Sequence, residues 1–359
     1  MTLLVSPSHL NHSSCLLQSV IVTMTTEILI FGAGAIGAFY GSRLALTTGT
    51  RVSVICRSNY QAVKTNGFSV VSPQYDSYKW SPTRTFANPD EARKDGTKWH
   101  YVVVSTKALP DVSDDSALLD GLVSDGTSIL LIQNGIGVEA PYAKRFPRAN
   151  ILSAVTIASA SQPTHGTIKH NRWTRINSGP YFLDSQASNK EGAIEQNERF
   201  AKLLVEGGIK DASAYSHEKL QLLRWHKIAI NAAMNPSSVL SGGADNATMS
   251  NDPELYEHLK GVMEEVLTTA PKVVGTPLPK DFASSEQILR STQKNSSGSK
   301  PSMQLDWEQG KRMELEVILG NPIRLAREKG LEMPRMQTLY ALLKMAQTLR
   351  EAGKGNSKL

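Results

Sequence analysis

The chain has 359 residues, of which 40% are hydrophobic and 20% charged, and its formal net charge is +6. This length and composition are typical of a globular protein of about two domains and exclude a disordered or fibrous class. No stretch approaches the roughly 20 consecutive apolar residues that span a bilayer. The modest positive charge, without a block of Lys and Arg residues, suits anionic small molecules and does not indicate a nucleic-acid partner.

Residues 1–25 are interpreted as a leader outside the fold, either a disordered extension or the result of an upstream start. The leader lacks Lys and Arg, so it does not have the basic residues of secretory signals or mitochondrial transit peptides. The two cysteines, Cys15 and Cys56, are too few for a disulfide framework, and no Cys/His cluster has the spacing of a zinc site. We therefore predict a cytoplasmic protein without a bound metal.

The first half of the chain alternates short apolar runs with helical segments. Buried strands are predicted at residues 27–31, 51–56, 99–105 and 128–133, and helices at residues 35–46 and 111–122. Two short strands, at residues 167–170 and 172–177, are expected to extend the sheet at its edge. Strands that alternate with helices predict a parallel, doubly wound sheet. We assign this α/β domain to residues 26–214.

The second half is predicted to be all-α. Candidate helices cover residues 218–234, 253–274, 281–293, 306–329 and 334–351. We place the domain boundary near residues 212–217, a helical substrate domain at residues 215–353 and a tail at residues 354–359. The sequence leaves the oligomeric state open, and a homodimer is one arrangement that it allows.

A glycine-rich loop follows the first predicted strand and opens the first predicted helix. It consists of Gly32, Ala33, Gly34, Ala35, Ile36 and Gly37. In the dinucleotide-binding pattern the first glycine permits a tight turn, the second lets the backbone approach the pyrophosphate, and the third allows close helix–strand packing. The helix N-terminus then offers free N–H groups to the phosphates. This context predicts a Rossmann-type dinucleotide site.

The end of the second predicted strand indicates which dinucleotide binds. An NAD site would place Asp or Glu there to hold the ribose 2′-hydroxyl, whereas this strand ends with Cys56 and Arg57 and has no acid nearby. A guanidinium can bind a 2′-phosphate through two hydrogen bonds, so Arg57 favours NADP. The alternative is that Arg57 is a surface arginine just past a strand.

Three polar residues lie on one face of the first helix of the second half. Lys227, Asn231 and Asn235 are four residues apart, which places them along one face of the helix. A semi-buried lysine with two amides is costly unless it borders a cleft or meets partners, so the stripe can be a catalytic face. The alternative is equally consistent with the spacing: Lys227 reaches solvent, and the asparagines cap a helix end before Pro236.

Five motifs, in order over residues 26–344, resemble those of the ketopantoate reductase (2-dehydropantoate 2-reductase) family. They are the glycine loop, Ser105-Thr106-Lys107-Ala108, Gln133-Asn134-Gly135-Ile136-Gly137, a helix with Trp225, Lys227, Asn231, Asn235 and Pro236, and a segment with Ser302, Met303, Asp306, Gly310, Lys311, Glu314 and Glu316. The resemblance implies reduction of 2-dehydropantoate to (R)-pantoate by NADPH, a step toward pantothenate. It also implies the α/β architecture followed by a helical domain.

The resemblance further implies roles for two catalytic residues and three substrate-binding residues. Lys227 would be the general acid that protonates the ketone oxygen, and Glu314 would contact the substrate hydroxyl and pair with Lys227 in part of the cycle. Asn231 and Asn235 would hydrogen-bond the substrate, and Ser302 its carboxylate.

Two further residues are implied at the cofactor. Asn134 would lie near the nicotinamide end, and Lys107 would line the cleft. Read without the resemblance, Asn134 begins a turn after a strand, and Glu314 forms a surface pair with Lys311.

The sequence departs from the family's pattern near the substrate residues. Leu305 stands directly before Asp306, where the family usually has Gln, and Gln304 lies one position earlier. A family asparagine after the catalytic helix is matched ambiguously by Asp245 or Asn246. These departures keep open a reductase of another 2-oxo acid or ketone. A non-catalytic dinucleotide sensor is disfavoured because Lys227, Asn231 and Glu314 are all present.

Overall fold

The computed structural model of this protein describes residues 25–183, 190–295 and 297–356. Its strands are β1 Thr26–Phe31, β2 Thr50–Ile55, β3 Phe68–Ser72, β4 Asp76–Trp80, β5 Thr85–Phe86, β6 Tyr101–Val104, β7 Ser128–Leu131, β8 Asn150–Thr164, β9 Thr167–Pro180 and β10 Ala212–Ala214. They form one mixed sheet in the order β4-β3-β9-β8-β7-β6-β1-β2-β5, with β10 on β9. The predicted leader lies outside the described residues, except for Thr25.

The three longest helices of the described residues all lie in the second half of the chain. The helices of the first half are α1 Ala35–Leu44, α2 Tyr60–Asn66, α3 Pro89–Asp95, α4 Ala140–Arg145 and α5 Lys190–Glu206. Those of the second half are α6 His217–Leu240, α7 Asn246–Asn251, α8 Pro253–Val274, α9 Ser285–Gln293, α10 Ser302–Glu308, α11 Asn321–Glu328 and α12 Pro334–Asn356, and the longest are α6, α8 and α12. The predicted fold class, a parallel sheet followed by a helical region, is confirmed.

The sheet separates two apolar cores. β1 pairs in parallel with both β2 and β6, so the strand order reverses at β1 and a cleft opens above its carboxyl end. One core contains α1 and α5 with residues such as Phe39 and Phe200. The other contains α6, α8 and α12 with residues such as Trp225 and Leu343. The helical region therefore covers one face of the sheet, next to the cleft.

One predicted helix is absent. Residues 111–122 were expected to form a crossover helix, but only a single 3-10 turn, Asp115–Leu119, is present. The side chain of Asp114 accepts hydrogen bonds from the backbone N–H and hydroxyl of Ser116, which competes with helical hydrogen bonding. Arg93 then binds the carbonyls of Leu118 and Asp120, so these carbonyls do not continue a helix.

Two further predictions were wrong in detail. The strands expected at residues 167–177 are one strand, β9, with a bulge near Trp173, and β9 lies inside the sheet because β3 pairs with its outer side. The helix expected at residues 306–329 is broken after α10, because Gly310 has φ +63° and the amide of Lys311 returns to the carbonyl of Asp306. A π-helical turn, Glu316–Gly320, follows the break.

Among the described residues, no helix is long and apolar enough to cross a membrane. Within the same ranges, no group of three or more His, Cys, Asp or Glu side chains is arranged to hold a metal ion.

Candidate active site

The glycine loop packs against the segment after β6. Gly32 has φ +99°, and a Cβ atom there would lie 2.8 Å from Cγ2 of Thr106. A Cβ atom on Gly37 would lie 2.2 Å from the hydroxyl oxygen of Ser105, whose hydroxyl donates to the carbonyl of Gly32 at 2.6 Å. Neither position has room for a side chain, so these glycines fix how closely α1 approaches the sheet.

The middle glycine borders open space. Gly34 is the N-cap of α1 and makes no side-chain cap hydrogen bond, and a Cβ atom built on it would meet nothing within 4 Å. The first N–H groups of α1 therefore face a space that a side chain does not fill. Free amides and the positive end of the helix dipole fit the pyrophosphate of a dinucleotide.

The segment after β2 is attached to this loop. Arg57 is exposed, and its guanidinium forms no hydrogen bond or ion pair with the described part of the chain. Two residues later, the buried side-chain amide of Asn59 donates to the carbonyl of Ala33 at 2.8 Å. Gln162, at the far end of β8, also donates to that carbonyl, at 3.4 Å. The guanidinium of Arg57, which is unpaired in the described residues, thus belongs to a segment that is bound to the glycine loop, where a 2′-phosphate would lie.

Lys227 lies on α6, which begins after the cap residue Ser216 and packs on β8. Its ammonium donates to Oδ1 of Asn134 and to the backbone carbonyl of Thr156, both at 2.9 Å. Burial and the nearby Arg224 together lower the pKa of Lys227 to about 8, although Glu314 opposes the shift. The ammonium is thus held in a fixed position and releases its proton more readily than an ordinary lysine.

Glu314 lies in the break between α10 and the π-helical turn. One carboxylate oxygen accepts from the amide of Ala108 at 3.1 Å, and the other from the side-chain amide of Asn134 at 3.4 Å. Burial raises the pKa of Glu314, although the Ala108 amide and Lys107 partly oppose this. Asn134 therefore bridges Lys227 and Glu314, whose side chains were not expected from spacing alone to share a neighbour.

The three residues expected to bind substrate differ in burial and in their position relative to Lys227. Asn231 is half-buried and lines the small space beside Lys227, Asn134 and Thr156. Asn235 is buried one turn further along α6, and its amide nitrogen has no hydrogen-bond partner in the described residues. Ser302 is exposed at the first turn of α10, and its side chain makes no hydrogen bond to Lys227, Asn134 or Glu314 in the described part of the chain.

Contacts between the two halves of the chain close the cleft around this group. Lys107, after β6, forms an ion pair with Asp306 on α10. Gly135 has φ +100°, and a Cβ atom on it would lie 2.4 Å from Cβ of Val317. The amide of Ile136 donates to the carbonyl of Val317 at 2.9 Å. The backbone beside Asn134 therefore touches the helical region directly.

The space at Lys227 measures about 10 Å³, less than a substrate needs. A larger cavity of about 820 Å³ lies beside it, lined by residues after β6, by α4 and by Val317 and Asn321. Gln133 borders both spaces. The smaller space is the candidate site of the chemistry, because Lys227, whose pKa is shifted, lines it and Asn134 joins it to Glu314.

Several members of this site have no signal in the sequence. The carbonyl of Thr156 and the amide of Ala108 are backbone groups, which any residue type supplies. Arg224 did have a signal: it is a charged residue three positions before Lys227, so helical spacing places it on the same face as Lys227, Asn231 and Asn235.

The sequence matches two family models. They are described as Ketopantoate reductase PanE/ApbA, over residues 28–181, and its C-terminal counterpart, over residues 219–347. A 2-dehydropantoate 2-reductase of Nostoc sp. is 28% identical and covers 88% of this chain and 93% of its own length. An uncharacterised protein of Saccharomyces cerevisiae is also 28% identical, over 92% of this chain and 96% of its own length.

Solved structures share the whole fold. The 2-dehydropantoate 2-reductase of Methylococcus capsulatus has a TM-score of 0.77 at 32% identity and covers 90% of this chain and 97% of that one. A D-mandelate dehydrogenase, crystallised with NADH, shares the fold with a TM-score of 0.73 at 19% identity, covering 91% of this chain and 99% of that one. The chain belongs to the ketopantoate reductase family, and it is an oxidoreductase that acts on CH–OH groups with a nicotinamide cofactor and a small-molecule substrate.

Proposed function

We propose that this enzyme reduces 2-dehydropantoate to (R)-pantoate with NADPH, in the cytoplasm and on the route to pantothenate. The observation that carries the proposal is the Lys227 ammonium, held by Asn134 and the Thr156 carbonyl with a pKa of about 8. The substrate's name is supported by family membership and by relatives that bear this activity.

The residues present fit NADPH. Gly34 and the first amides of α1 would hold the pyrophosphate, Arg57 the 2′-phosphate, and Asn134 and Lys107 would flank the nicotinamide half. When bound, this cofactor supplies hydride to the ketone carbon. Arg57 supports NADP over NAD because an exposed guanidinium attracts the additional phosphate, and residues 51–66 contain no Asp or Glu to repel that group.

The chain's own residues then supply the proton that the ketone oxygen needs. Lys227 donates a proton to the ketone oxygen as the carbon is reduced, and its lowered pKa makes that donation easier near neutral pH. Glu314, with a raised pKa, accepts a hydrogen bond from the new hydroxyl or carries a proton itself. In this proposal Asn231 and Asn235 hydrogen-bond the substrate and Ser302 holds its carboxylate.

The decisive experiment compares initial rates of NADPH and NADH oxidation with 2-dehydropantoate and a panel of other 2-oxo acids. We expect the highest kcat/KM for the pair of NADPH and 2-dehydropantoate. Negligible turnover of 2-dehydropantoate beside good turnover of another 2-oxo acid would refute the named substrate. Tight NADPH binding without oxidation by any acid would refute the reductase.

A second candidate is a reductase of a different, more apolar 2-oxo acid. Leu305 is 43% exposed directly before Asp306, while the amide of Gln304 is turned toward Glu308 at 2.9 Å. An apolar side chain thus stands where a polar one is typical of the family. The same panel of acids distinguishes the two candidates.

The pH dependence provides an independent check. The general acid must be protonated for the reduction, so kcat/KM should be constant below the pKa of Lys227 and fall above it. With that pKa at about 8, we expect the rate to fall about tenfold for each pH unit beyond it. A profile that stays flat to pH 10 would mean that Lys227 does not supply the proton.

A further inference from the structure

A buried ion pair lies directly behind Lys227. Arg224 on α6 and Glu139 before α4 have side-chain exposures of 2% and 0%, and Nε of Arg224 lies 2.8 Å from Oε1 of Glu139. Ser153 on β8 joins the pair: it accepts from Nε at 2.7 Å and donates to Glu139 at 2.6 Å. Gln221, one turn earlier on α6, donates to the same carboxylate oxygen at 3.2 Å.

The rest of the guanidinium binds backbone carbonyls. Nη1 donates to the carbonyls of Gln133 at 2.9 Å and Gly135 at 3.0 Å, the two residues on either side of Asn134. Nη2 donates to the carbonyl of Ala154 at 3.2 Å, two residues before Thr156. A planar fork with five donors can make such contacts to two segments at once, which a lysine cannot.

These two segments are the ones that hold the catalytic ammonium. Lys227 donates to Asn134 and to the carbonyl of Thr156, and it lies one helical turn after Arg224. The same guanidinium therefore fixes both acceptors of the Lys227 ammonium. A buried ion pair is rarely a net source of stability, so its presence here calls for another role.

We propose that Arg224, held in place by Glu139, is a positioning residue that aligns Asn134 and the Thr156 carbonyl for the Lys227 ammonium. The inference rests on the proposed role of Lys227 as proton donor. Both side chains are buried and bound to protein groups, so in this proposal each acts through Lys227.

The charges around Lys227 agree with this geometry. Arg224 on α6 lowers the pKa of Lys227 after burial, and Glu314, from the break after α10, raises it. Lys107 and Asp306 face Glu314 in turn. Burial alone would raise the pKa of Glu139, but Arg224, Ser153 and Gln221 together lower it, so this carboxylate stays charged beside the arginine.

The test measures the lysine itself and needs no substrate. Protein labelled with 13C at Cε of lysine is titrated by NMR, and the Lys227 signal is identified by its absence in Lys227→Gln. The paired variant Arg224→Met with Glu139→Leu removes both charges, a change that buried pairs often tolerate without loss of folding. We expect the pKa of Lys227 to rise by about one unit, because a nearby positive charge is gone.

Kinetics complete the test, with kcat and KM measured separately. We expect kcat to fall about tenfold to a hundredfold in the paired variant, while the Kd of NADPH changes little. Arg224→Lys keeps the charge and loses the fork, so we expect kcat to fall with little shift in the pKa of Lys227. Arg93→Met is the matched control, because Arg93 also binds two carbonyls, those of Leu118 and Asp120, and neither belongs to a segment that holds Lys227.

A purely structural role gives a different pattern. The melting temperature would fall in the Arg224 variants while the Lys227 pKa and the kcat of the folded enzyme stayed at wild-type values, and that result would overturn the proposal. Shifted NMR titrations without turnover of any 2-oxo acid would instead uphold the positioning role and refute the proposed function.

Discussion

The two ends of the cleft differ in the chemical groups that form them. The proposed binding end, which is the glycine loop with Arg57, consists of backbone amides, glycines without side chains and an exposed charge. The proposed chemical end, which is Lys227 with Asn134 and Glu314, consists of side chains that are partly or wholly buried and hydrogen-bonded to one another. Shape therefore dominates at the first end, and the free energy of buried charge dominates at the second.

The largest effect is expected at the chemical end. Lys227→Ala removes the proton donor, so we expect kcat to fall about a thousandfold. The Kd of NADPH, measured by fluorescence titration, should remain near the wild-type value because the binding end is unchanged. Near-normal turnover in this variant would contradict the proposed mechanism.

Two alanine substitutions separate the expected contribution of the glycine loop to cofactor binding from its contribution to packing. Gly34→Ala adds a methyl group that meets no protein atom, so we expect normal stability and about tenfold or more weaker NADPH binding. Gly37→Ala places its methyl 2.2 Å from the Ser105 hydroxyl, so we expect a loss of about 1–3 kcal/mol in the free energy of unfolding.

Denaturant unfolding and NADPH titration of both variants check this contrast. If Gly34→Ala bound NADPH as tightly as wild type, the space beside α1 would not be where the pyrophosphate lies.

Cofactor choice is the next effect in size. Arg57→Asp replaces the cation with a carboxylate that repels a 2′-phosphate and can bind a 2′-hydroxyl. We expect the ratio of kcat/KM for NADPH over NADH to fall about tenfold to a hundredfold. Arg51→Asp, at the other end of β2, is the matched control for the change in net charge. An unchanged ratio in Arg57→Asp would show that Arg57 is only a surface arginine.

The smallest effect is expected where the two halves of the chain meet. Asp306→Asn breaks the ion pair with Lys107, whose side chain is 43% exposed, so the pair is screened by solvent. We expect kcat/KM to change less than about fivefold, and the difference to shrink at high salt. A loss as large as that of Lys227→Ala would place Asp306 in the proton-transfer step.

The shape of the glycine loop was largely predictable from the sequence, because it depends on glycine spacing next to a buried strand. The chemical end was predictable only as a set of residue types. Nothing in the spacing of Asn134 and Glu314 indicates that Asn134 lies between Lys227 and Glu314, since the two residues are 180 positions apart. The continuous helix expected over residues 306–329 was also not predictable as broken, because the contact involved is distant in sequence. Glu314 accepts a hydrogen bond from the amide of Ala108, and the helix is interrupted at Glu314.

Gly135 sets how closely the loop that carries Asn134 approaches the segment that carries Glu314. At this residue the loop that carries Asn134 rests against the side chain and the carbonyl of Val317, three residues after Glu314. Because glycine has only a hydrogen atom in place of a side chain, it allows the closest approach between these two segments. A larger residue at position 135 would push Asn134 away from the segment that carries Glu314. The distance between Asn134 and Glu314 therefore depends on a residue that has no functional group.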